Sequence, residues 1–199
     1  MTETAIKKYI SDARFNKYSS FDEYQENLVL SSQFYIPLSI LEVSLRNAIN
    51  SYFVNLYGQN WLLNEAQFLQ RDALEKIFHA KAKLSERREN ITHAKLTAEL
   101  TLGFWTSLFQ KPYDKTMRLQ TLKGIFSNLP KQEVKFIDRK IISAQLNHIR
   151  KFRNRIFHFE KIIHKEEFNT IQSDIDEMIS FLNDEVYALA KNLNQNYSK

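Results

Sequence analysis

A basic segment in the last third of the chain combines the residue types that phosphate chemistry needs. It runs Arg150-Lys151-Phe152-Arg153-Asn154-Arg155-Ile156-Phe157-His158-Phe159-Glu160. A histidine that titrates near neutral pH can accept or donate a proton, and an arginine fork matches two phosphoryl oxygens. RNA carries its own nucleophile, the 2′-hydroxyl, so its cleavage requires no metal ion. The segment therefore favours RNA phosphate chemistry, with Arg153 at the phosphate, His158 as acid or base, and Asn154 orienting His158 or a phosphate oxygen.

The spacing within this segment sets a geometric condition on the site. On a helix with 3.6 residues per turn, Asn154 and His158 share a face, whereas Arg153 and His158 point about 140° apart. Either the helix ends or bends near Phe157, or a second copy of the chain completes the site across a two-fold axis. The non-catalytic alternative is a half-buried, structural His158 bonded to Glu160 or to a carbonyl. The remaining cations of the segment are predicted to contact RNA phosphates: Arg150, Lys151 and Arg155.

The composition excludes several kinds of chemistry. The 199 residues contain no cysteine, which removes disulfides, thiolate nucleophiles and zinc-thiolate sites. The sequence has no Gly-rich phosphate loop, His-Glu-x-x-His motif or Gly-x-Ser-x-Gly elbow, and we expect neither a metal nor a cofactor. A net charge of +5 favours a polyanionic partner. Without a run of 18 apolar residues or a secretory signal, the protein is expected to be soluble and cytoplasmic, with no membrane partner.

Scarce turn residues and helical periodicity predict an all-α protein. Only 3 Gly and 3 Pro interrupt the chain, so we expect an irregular bundle of long helices forming one domain, residues 1–199. Pro37 should kink or break a helix near Ile36, and Gly58 should end that helix. The predicted helices cover roughly residues 4–18, 21–57, 65–85, 91–109, 115–126, 131 into the basic segment, and 165–192.

Individual apolar residues are also assigned to the core. Trp61 should pack a loop onto the core, and Phe104 and Trp105 are predicted to be core residues rather than base-stacking platforms. Val134 and Leu189 belong to the apolar faces of the last two predicted helices.

Two further segments carry recognisable combinations of residues. Leu41–Ile49 predicts a helix in which Glu42 and Arg46 lie one turn apart, and such a pair stabilises a helix by about 0.3–0.5 kcal/mol. Leu100–Trp105 places a glycine and two aromatic residues at the end of a long helical stretch.

Four segments together resemble the motifs of the Abi-like (abortive infection) proteins, in the same order along the chain. The motifs ISxxRxxxY, LExxLRNxI, LTxGFW and RNRxxHHEP correspond to Ile10–Tyr18, Leu41–Ile49, Leu100–Trp105 and Arg153–Lys161. The last motif is the Arg-x4-His signature of the wider HEPN superfamily. The resemblance implies a HEPN-type helical fold and a metal-independent endoribonuclease that works as a homodimer.

The same resemblance implies a biological setting and two supporting residues. It places the protein in a bacterial cell as an abortive-infection toxin or phage-defence effector, with an antitoxin or other regulatory partner as a further expectation. It also implies a role beside the site for Arg46, which would add charge there, and for Glu42, which would hold Arg46.

The chain departs from the Abi-like pattern at two positions. Phe159 replaces a second histidine, which matters if that histidine shares the catalytic work, and Lys161 replaces a proline, which should loosen the turn after the site. Two other functions stay open: a non-catalytic HEPN-like module that binds RNA or a partner protein, and a DNA-binding regulator. The long predicted helices argue against the regulator, because a helix-turn-helix reader has two short helices joined by a short turn.

Overall fold

The computed structural model describes residues 2–197, which form helices joined by turns and loops. Helices make up 68% of the chain and the described range has no strand, so the predicted all-α class is confirmed. The helices are α1 (Glu3–Tyr9), α2 (Asp12–Phe15), α3 (Phe21–Gln33), α4 (Tyr35–Tyr57), α5 (Arg71–Glu86), α6 (His93–Glu99), α7 (Leu102–Ser107), α8 (Leu119–Ile125), α9 (Arg139–Phe157), α10 (Ile171–Leu182) and α11 (Asp184–Tyr197), with single 3-10 turns at Lys111–Tyr113 and Glu166–Phe168.

Helix α4 lies at the centre of the bundle. It packs against α7, α8, α10 and α11, while α9 packs against α7 and α10. Leu45, Ile49 and Phe53 of α4 are fully buried, and they belong to one continuous cluster of buried apolar side chains. The predicted core residues Trp61, Phe104 and Trp105 belong to the same cluster. Because both α4 and α9 contact α7, α7 can connect residues of these two helices.

One helical stretch, Phe21–Tyr57, is long and apolar enough by composition to cross a membrane. The stretch consists of two helices, because the chain breaks at Phe34. One face of α4, which includes Leu41, Leu45 and Ile49, is buried against the rest of the bundle, whereas Val43 and Leu56 are exposed. This arrangement is consistent with a soluble protein. Pro37 lies in the first turn of α4 and not at the break. Residues of the first turn have no N–H partner within the helix, so the missing N–H of Pro37 removes no hydrogen bond there. Gly58 ends α4 as predicted, with φ 87°.

Most predicted helices are longer than the observed ones. Ser11, with φ 73°, separates α1 from α2 where one helix was expected. The helix predicted to start at residue 131 begins only at Arg139, because the Asp138 side chain accepts a hydrogen bond from the backbone N–H of Ile141 and caps the helix there. Val134 is therefore outside the helix and 80% exposed, contrary to its predicted core position.

The remaining differences have similar local causes. The side chain of Asn183 accepts hydrogen bonds from the backbone N–H groups of Glu185 and Val186, which divides the last predicted helix into α10 and α11. Leu189 of α11 is 51% exposed, so its predicted core position is also wrong. Helices α5 and α8 begin at Arg71 and Leu119, each several residues later than predicted.

The helix predicted over residues 91–109 is divided into α6 and α7. The two short helices are joined only by Leu100 and Thr101, so the sequence argument that long helices exclude a helix-turn-helix was wrong for this region. Burial gives a different reason against a DNA reader here: Leu102, Phe104 and Trp105 of α7 are all in the core. A helix buried in this way has no free face to place in a DNA groove.

Candidate active site

The basic segment occupies the last turns of α9, and the helix ends immediately before His158. The backbone N–H of Phe159 donates to the Ile156 carbonyl at 2.9 Å, and that of Glu160 donates to the Arg155 carbonyl at 2.8 Å. Phe159 has φ 56°. These features form a Schellman ending, in which a left-handed residue stops the helix and satisfies its last carbonyls. Of the two geometric alternatives, the structure thus has the helix end at Phe157.

The side chain of His158 is exposed to solvent. It makes no hydrogen bond or ion pair with any described residue. The His158 backbone is bound, since its N–H donates to the Asn154 carbonyl at 2.9 Å and its carbonyl accepts from Arg14 Nη1. The Glu160 carboxylate instead pairs with Arg155. The half-buried histidine bonded to Glu160 or a carbonyl is therefore not what the structure contains, and both imidazole nitrogens are available to a ligand.

Asn154 lies beside His158 but does not bind it. Helical geometry places Lys151, Asn154 and His158 within about 60° of one another on the exposed face of α9. Among the described residues, the Asn154 side chain has no hydrogen-bond partner. The predicted orienting contact between Asn154 and His158 is therefore absent from the structure. Its amide remains available to a phosphate oxygen, the other predicted role.

Arg153 is held along one edge of its guanidinium group. Its Nε donates to Glu42 Oε2 at 2.8 Å, and its guanidinium carbon lies 4.5 Å from the centre of the Phe157 ring. Both contacts fix the plane of the fork. The two terminal nitrogens donate to no group in the described part of the chain, and the side chain is 25% exposed. Arg153 is thus oriented and still has free donors.

The predicted pairing of Glu42 with Arg46 is wrong. Glu42 reaches across to Arg153 through Oε2, while its Oε1 accepts a hydrogen bond from the Leu102 backbone N–H at 3.2 Å, at the start of α7. The carboxylate therefore connects three helices, α4, α7 and α9. Arg46 has a buried Nε with no hydrogen-bond partner. An i, i+4 spacing allows a pair, but the Arg153 guanidinium and the α7 amide hold both oxygens of Glu42.

The other cations of the segment differ from one another in the structure. Arg150 donates to the Asn147 side chain at 2.8 Å. Arg155 forms ion pairs with Glu160 and with Glu167, at 3.3 and 3.4 Å. Lys151 is exposed and has no ion pair with any described residue. Lys151 is consequently the cation of the predicted RNA-binding set that is most accessible to a phosphate.

The loop after His158 is held by the amino-terminal helices. Arg14 Nη1 donates to the backbone carbonyls of His158 and Phe159. Asn27, which is 1% exposed, accepts hydrogen bonds from the backbone N–H groups of Ile162 and Ile163 at 2.7 and 3.1 Å. These contacts fix the backbone on both sides of Glu160.

Lys161 does not loosen the turn, contrary to expectation. Its ammonium donates to Glu23 and to the Lys17 carbonyl, and it lies 5.3 Å from the centre of the Tyr18 ring. The hydrogen bonds that Glu23 accepts from Lys161 and then from Ser19 lower the pKa of that carboxyl to about 2. An ion pair with a cation–π contact takes the place of the ring constraint that a proline would provide.

Contacts therefore bring the four sequence segments to one end of α9. Arg14 belongs to the first segment, Glu42 to the second, Leu102 to the third, and Arg153 and His158 to the fourth. Sequence reasoning did not identify the supporting side chains Glu23 and Asn27. Asn27 had a detectable signal, since an amide residue at a position that helical spacing buries usually binds backbone groups.

Comparison of the chain with protein-family models, curated proteins and solved structures gave no match. Within residues 2–197, no group of three or more His, Asp or Glu side chains has an arrangement that could hold a metal ion. The candidate site is defined by its own geometry: an unpaired imidazole, a partly bound guanidinium, an amide and an exposed lysine around the end of one helix.

Proposed function

We propose that the protein is a metal-independent endoribonuclease of the HEPN type, related to the Abi-like abortive-infection proteins. The observation that supports this proposal is the meeting of four distant segments at the end of α9, where Arg14, Glu42 and Leu102 contact or flank the Arg153 to His158 turn. The residues that carry the resemblance thus meet at one place, as expected if they form one site.

The proposed reaction uses groups that this end of α9 supplies. The 2′-hydroxyl oxygen of RNA attacks the adjacent phosphorus, its proton goes to a base, and the bond to the 5′-oxygen breaks as that oxygen takes up a proton. His158 carries out one or both proton transfers, since its two ring nitrogens are unengaged. The products are a 2′,3′-cyclic phosphate and a 5′-hydroxyl.

Arg153 has the role of binding the reacting phosphate. Glu42 holds its Nε at 2.8 Å, and the Phe157 ring supports the plane of the guanidinium, so the terminal nitrogens are directed before RNA arrives. Donors that are already oriented stabilise the added negative charge without the cost of rearrangement. Glu42 acts through Arg153, and Asn154 and Lys151 add a hydrogen-bond donor and a charge on the His158 face.

We further propose the assembly and setting that the resemblance implies: a cytoplasmic homodimer in a bacterial cell, acting in phage defence and controlled by an antitoxin or another regulatory partner. In this dimer, the two-fold axis brings the Arg150 to His158 segment of one chain close to the same segment of its partner. Light scattering at micromolar concentration tests this part: a monomer with and without RNA contradicts it.

The decisive experiment is RNA cleavage in EDTA. Purified protein is incubated with single-stranded RNA, and the ends of the fragments are mapped. We expect 2′,3′-cyclic phosphate ends from the wild-type protein and cleavage slower by about a hundredfold or more from His158→Ala. Binding without cleavage favours the non-catalytic module instead, and sequence-dependent retention of duplex DNA with intact RNA favours the regulator. Cleavage that EDTA abolishes contradicts the proposed chemistry.

A further inference from the structure

An apolar groove is lined by the two chain neighbours of His158, Phe157 and Phe159. It has a volume of about 910 Å³ and lies between the end of α3, the start of α4, the end of α9 and part of α11. Its aromatic lining consists of Tyr35, Phe157 and Phe159, which are 60%, 40% and 67% exposed. The Tyr35 and Phe157 rings are 6.3 Å apart between centres. Flat, accessible rings of this kind are suited to a flat ligand.

Phe159 is in an unusual position for a large side chain. As the left-handed residue of the Schellman ending, with φ 56°, it occupies a place where glycine is preferred because other residues are strained there. Packing of the ring does not offset this strain, since the ring is mostly exposed. The Arg14 hydrogen bond to its carbonyl helps to fix this conformation. An exposed ring at a strained position next to a candidate site indicates a ligand contact rather than a contribution to the core.

Phe159 also borders a second, polar cavity. This pocket of about 200 Å³ is lined by three cations, Arg14, Lys17 and Lys161, and by one acid, Glu160. Lys161 is already paired with Glu23, so Arg14 and Lys17 are the cations left to bind an anion. The Phe159 ring therefore separates an apolar groove from a cationic pocket. A nucleotide has the complementary division, with an apolar base on one side and an anionic phosphate on the other.

We infer that Phe159 is a stacking platform for a nucleobase of single-stranded RNA, whose base enters the aromatic groove while a neighbouring phosphate enters the Arg14–Lys17–Lys161 pocket. The inference rests on the proposed function and adds the binding mode of the substrate. Stacking on an aromatic ring tolerates any base, so this site selects unpaired RNA rather than a sequence. A second copy of the chain is the alternative occupant of the groove, and the oligomeric state of the same variants distinguishes it.

The test measures binding separately from cleavage. A fluorescent single-stranded oligonucleotide of 2′-deoxynucleotides lacks the nucleophile and stays intact, and its affinity is read by anisotropy. Since losing one base-stacking ring weakens binding by about five-fold to a hundred-fold, Phe159→Ala should lose affinity on this scale. Phe159→Gly should lose as much while being more stable, because glycine relieves the left-handed strain. Phe159→Trp should bind at least as tightly as the wild type.

Two controls make the result specific to stacking. Phe78 on α5 is equally exposed, at 68%, and lies outside the groove, so Phe78→Ala should bind like the wild type. An abasic chain of the same length should bind the wild-type protein more weakly than the chain with bases, while Phe159→Ala should discriminate between the two far less.

The abasic comparison decides the alternatives. If Phe159→Ala still prefers the chain with bases as strongly as the wild type does, stacking on Phe159 is ruled out, whatever happens to overall affinity. Conversion of a wild-type dimer to a monomer by Phe159→Ala, with that base preference unchanged, assigns the groove to a second copy. Loss of cleavage in the EDTA assay with the base preference intact removes the enzyme and leaves the nucleobase site. If the protein cleaves RNA in EDTA but Phe159→Ala keeps the wild-type base preference, the enzyme stands and the nucleobase site is ruled out.

Discussion

Two histidines on α9 have opposite surroundings. His148, in the middle of the helix, has both ring nitrogens bound: Nδ1 lies 2.7 Å from Asp174 Oδ2, and Nε2 lies 2.6 Å from the Glu167 carbonyl. Its ring also stacks on Phe168, with 5.6 Å between ring centres. His158, at the end of the same helix, is exposed and binds none of the described side chains. His148 thus connects α9 to the segment around α10, whereas the side chain of His158 remains unbound.

The arginines of α9 repeat this difference. Arg139, in the first turn, is buried and divides its donors between the Asp114 carboxylate and the Phe109 carbonyl. Arg153 gives only its Nε to Glu42 and keeps both terminal nitrogens unbound within the described chain. Residue type alone therefore does not identify a site. Unused hydrogen-bonding capacity on a side chain that is otherwise held in place is the better criterion.

The largest expected effect separates the two histidines. His158→Ala should reduce RNA cleavage by about a hundredfold or more, the scale of a lost acid or base, and leave the free energy of unfolding nearly unchanged. His148→Ala should do the opposite, costing about 1–3 kcal/mol of stability because Asp174 and the Glu167 carbonyl lose their partner, while the folded molecules keep their activity. Cleavage rates in EDTA and denaturant unfolding of both variants provide the measurements.

The same two variants can also show that the surroundings of the two histidines are unrelated to activity. A well-folded and fully active His158→Ala protein would remove the proposed mechanism. Equal losses of activity and stability in both variants would mean that the two histidines are structural in the same way.

The next effect concerns the arginines. Arg153→Lys should lower the cleavage rate about tenfold or more with little loss of RNA affinity. A lysine keeps the charge, but its single ammonium cannot bind Glu42 and at the same time present two donors to the phosphate. Arg139→Lys should leave the cleavage of folded protein unchanged and lower the melting temperature. Single-turnover cleavage rates, RNA titrations and thermal unfolding distinguish the two outcomes. A parallel loss of binding and cleavage in Arg153→Lys would make Arg153 an ordinary electrostatic contact.

The helical class was predictable because it depends on features that add up along the whole chain. Few glycines and prolines and a recurrent apolar spacing favour helices wherever they occur. Helix ends were less predictable because they depend on single hydrogen bonds. The Asp138 cap removes residues 131–138 from α9, and the Asn183 side chain divides α10 from α11. Several residue types can cap a helix, and sequence alone does not show which of them does so.

The candidate site shows the same division. Arg153, Asn154 and His158 could be named as candidates from their residue types and from the resemblance to the Abi-like motifs. Contacts between distant segments could not. Glu42 was paired with its neighbour Arg46, whereas it binds Arg153 and the Leu102 amide. Predicting this choice requires the relative positions of α4, α7 and α9, which arise from the packing of the whole core.

A smaller effect is expected for the cations that flank the site. Lys151 is exposed on the His158 face, so Lys151→Ala should weaken RNA binding uniformly and reduce the slope of log affinity against log salt by about one. Arg155→Ala should change this slope less, because its guanidinium is already paired with Glu160 and Glu167. Its cost in stability should be below about 1 kcal/mol, as for other partly exposed ion pairs. RNA titrations over a range of salt concentrations test both expectations. A larger slope change for Arg155→Ala would show that RNA displaces its two carboxylate partners.

The smallest effect is a change in acid stability at the loop that follows His158. The pKa of Glu23 is lowered to about 2 by the hydrogen bonds from Lys161 and Ser19, whereas an unfolded glutamate has a pKa of about 4.3. Its ionised form therefore stabilises the fold above about pH 4.3, and this contribution is lost as the pH falls toward 2. Glu23→Gln should have a shallower decline in unfolding free energy across that interval than the wild type.

The control for this prediction lies on the same helix. Glu26 is exposed, so Glu26→Gln should follow the wild-type pH dependence. Cleavage at neutral pH by Glu23→Gln should fall only slightly, since Arg14 and Asn27 still hold the backbone of the loop. If Glu23→Gln instead abolishes cleavage without changing stability, the activity depends on the loop after His158 as well as on the unpaired side chains. The orientation of His158 would then depend on the Lys161–Glu23 pair.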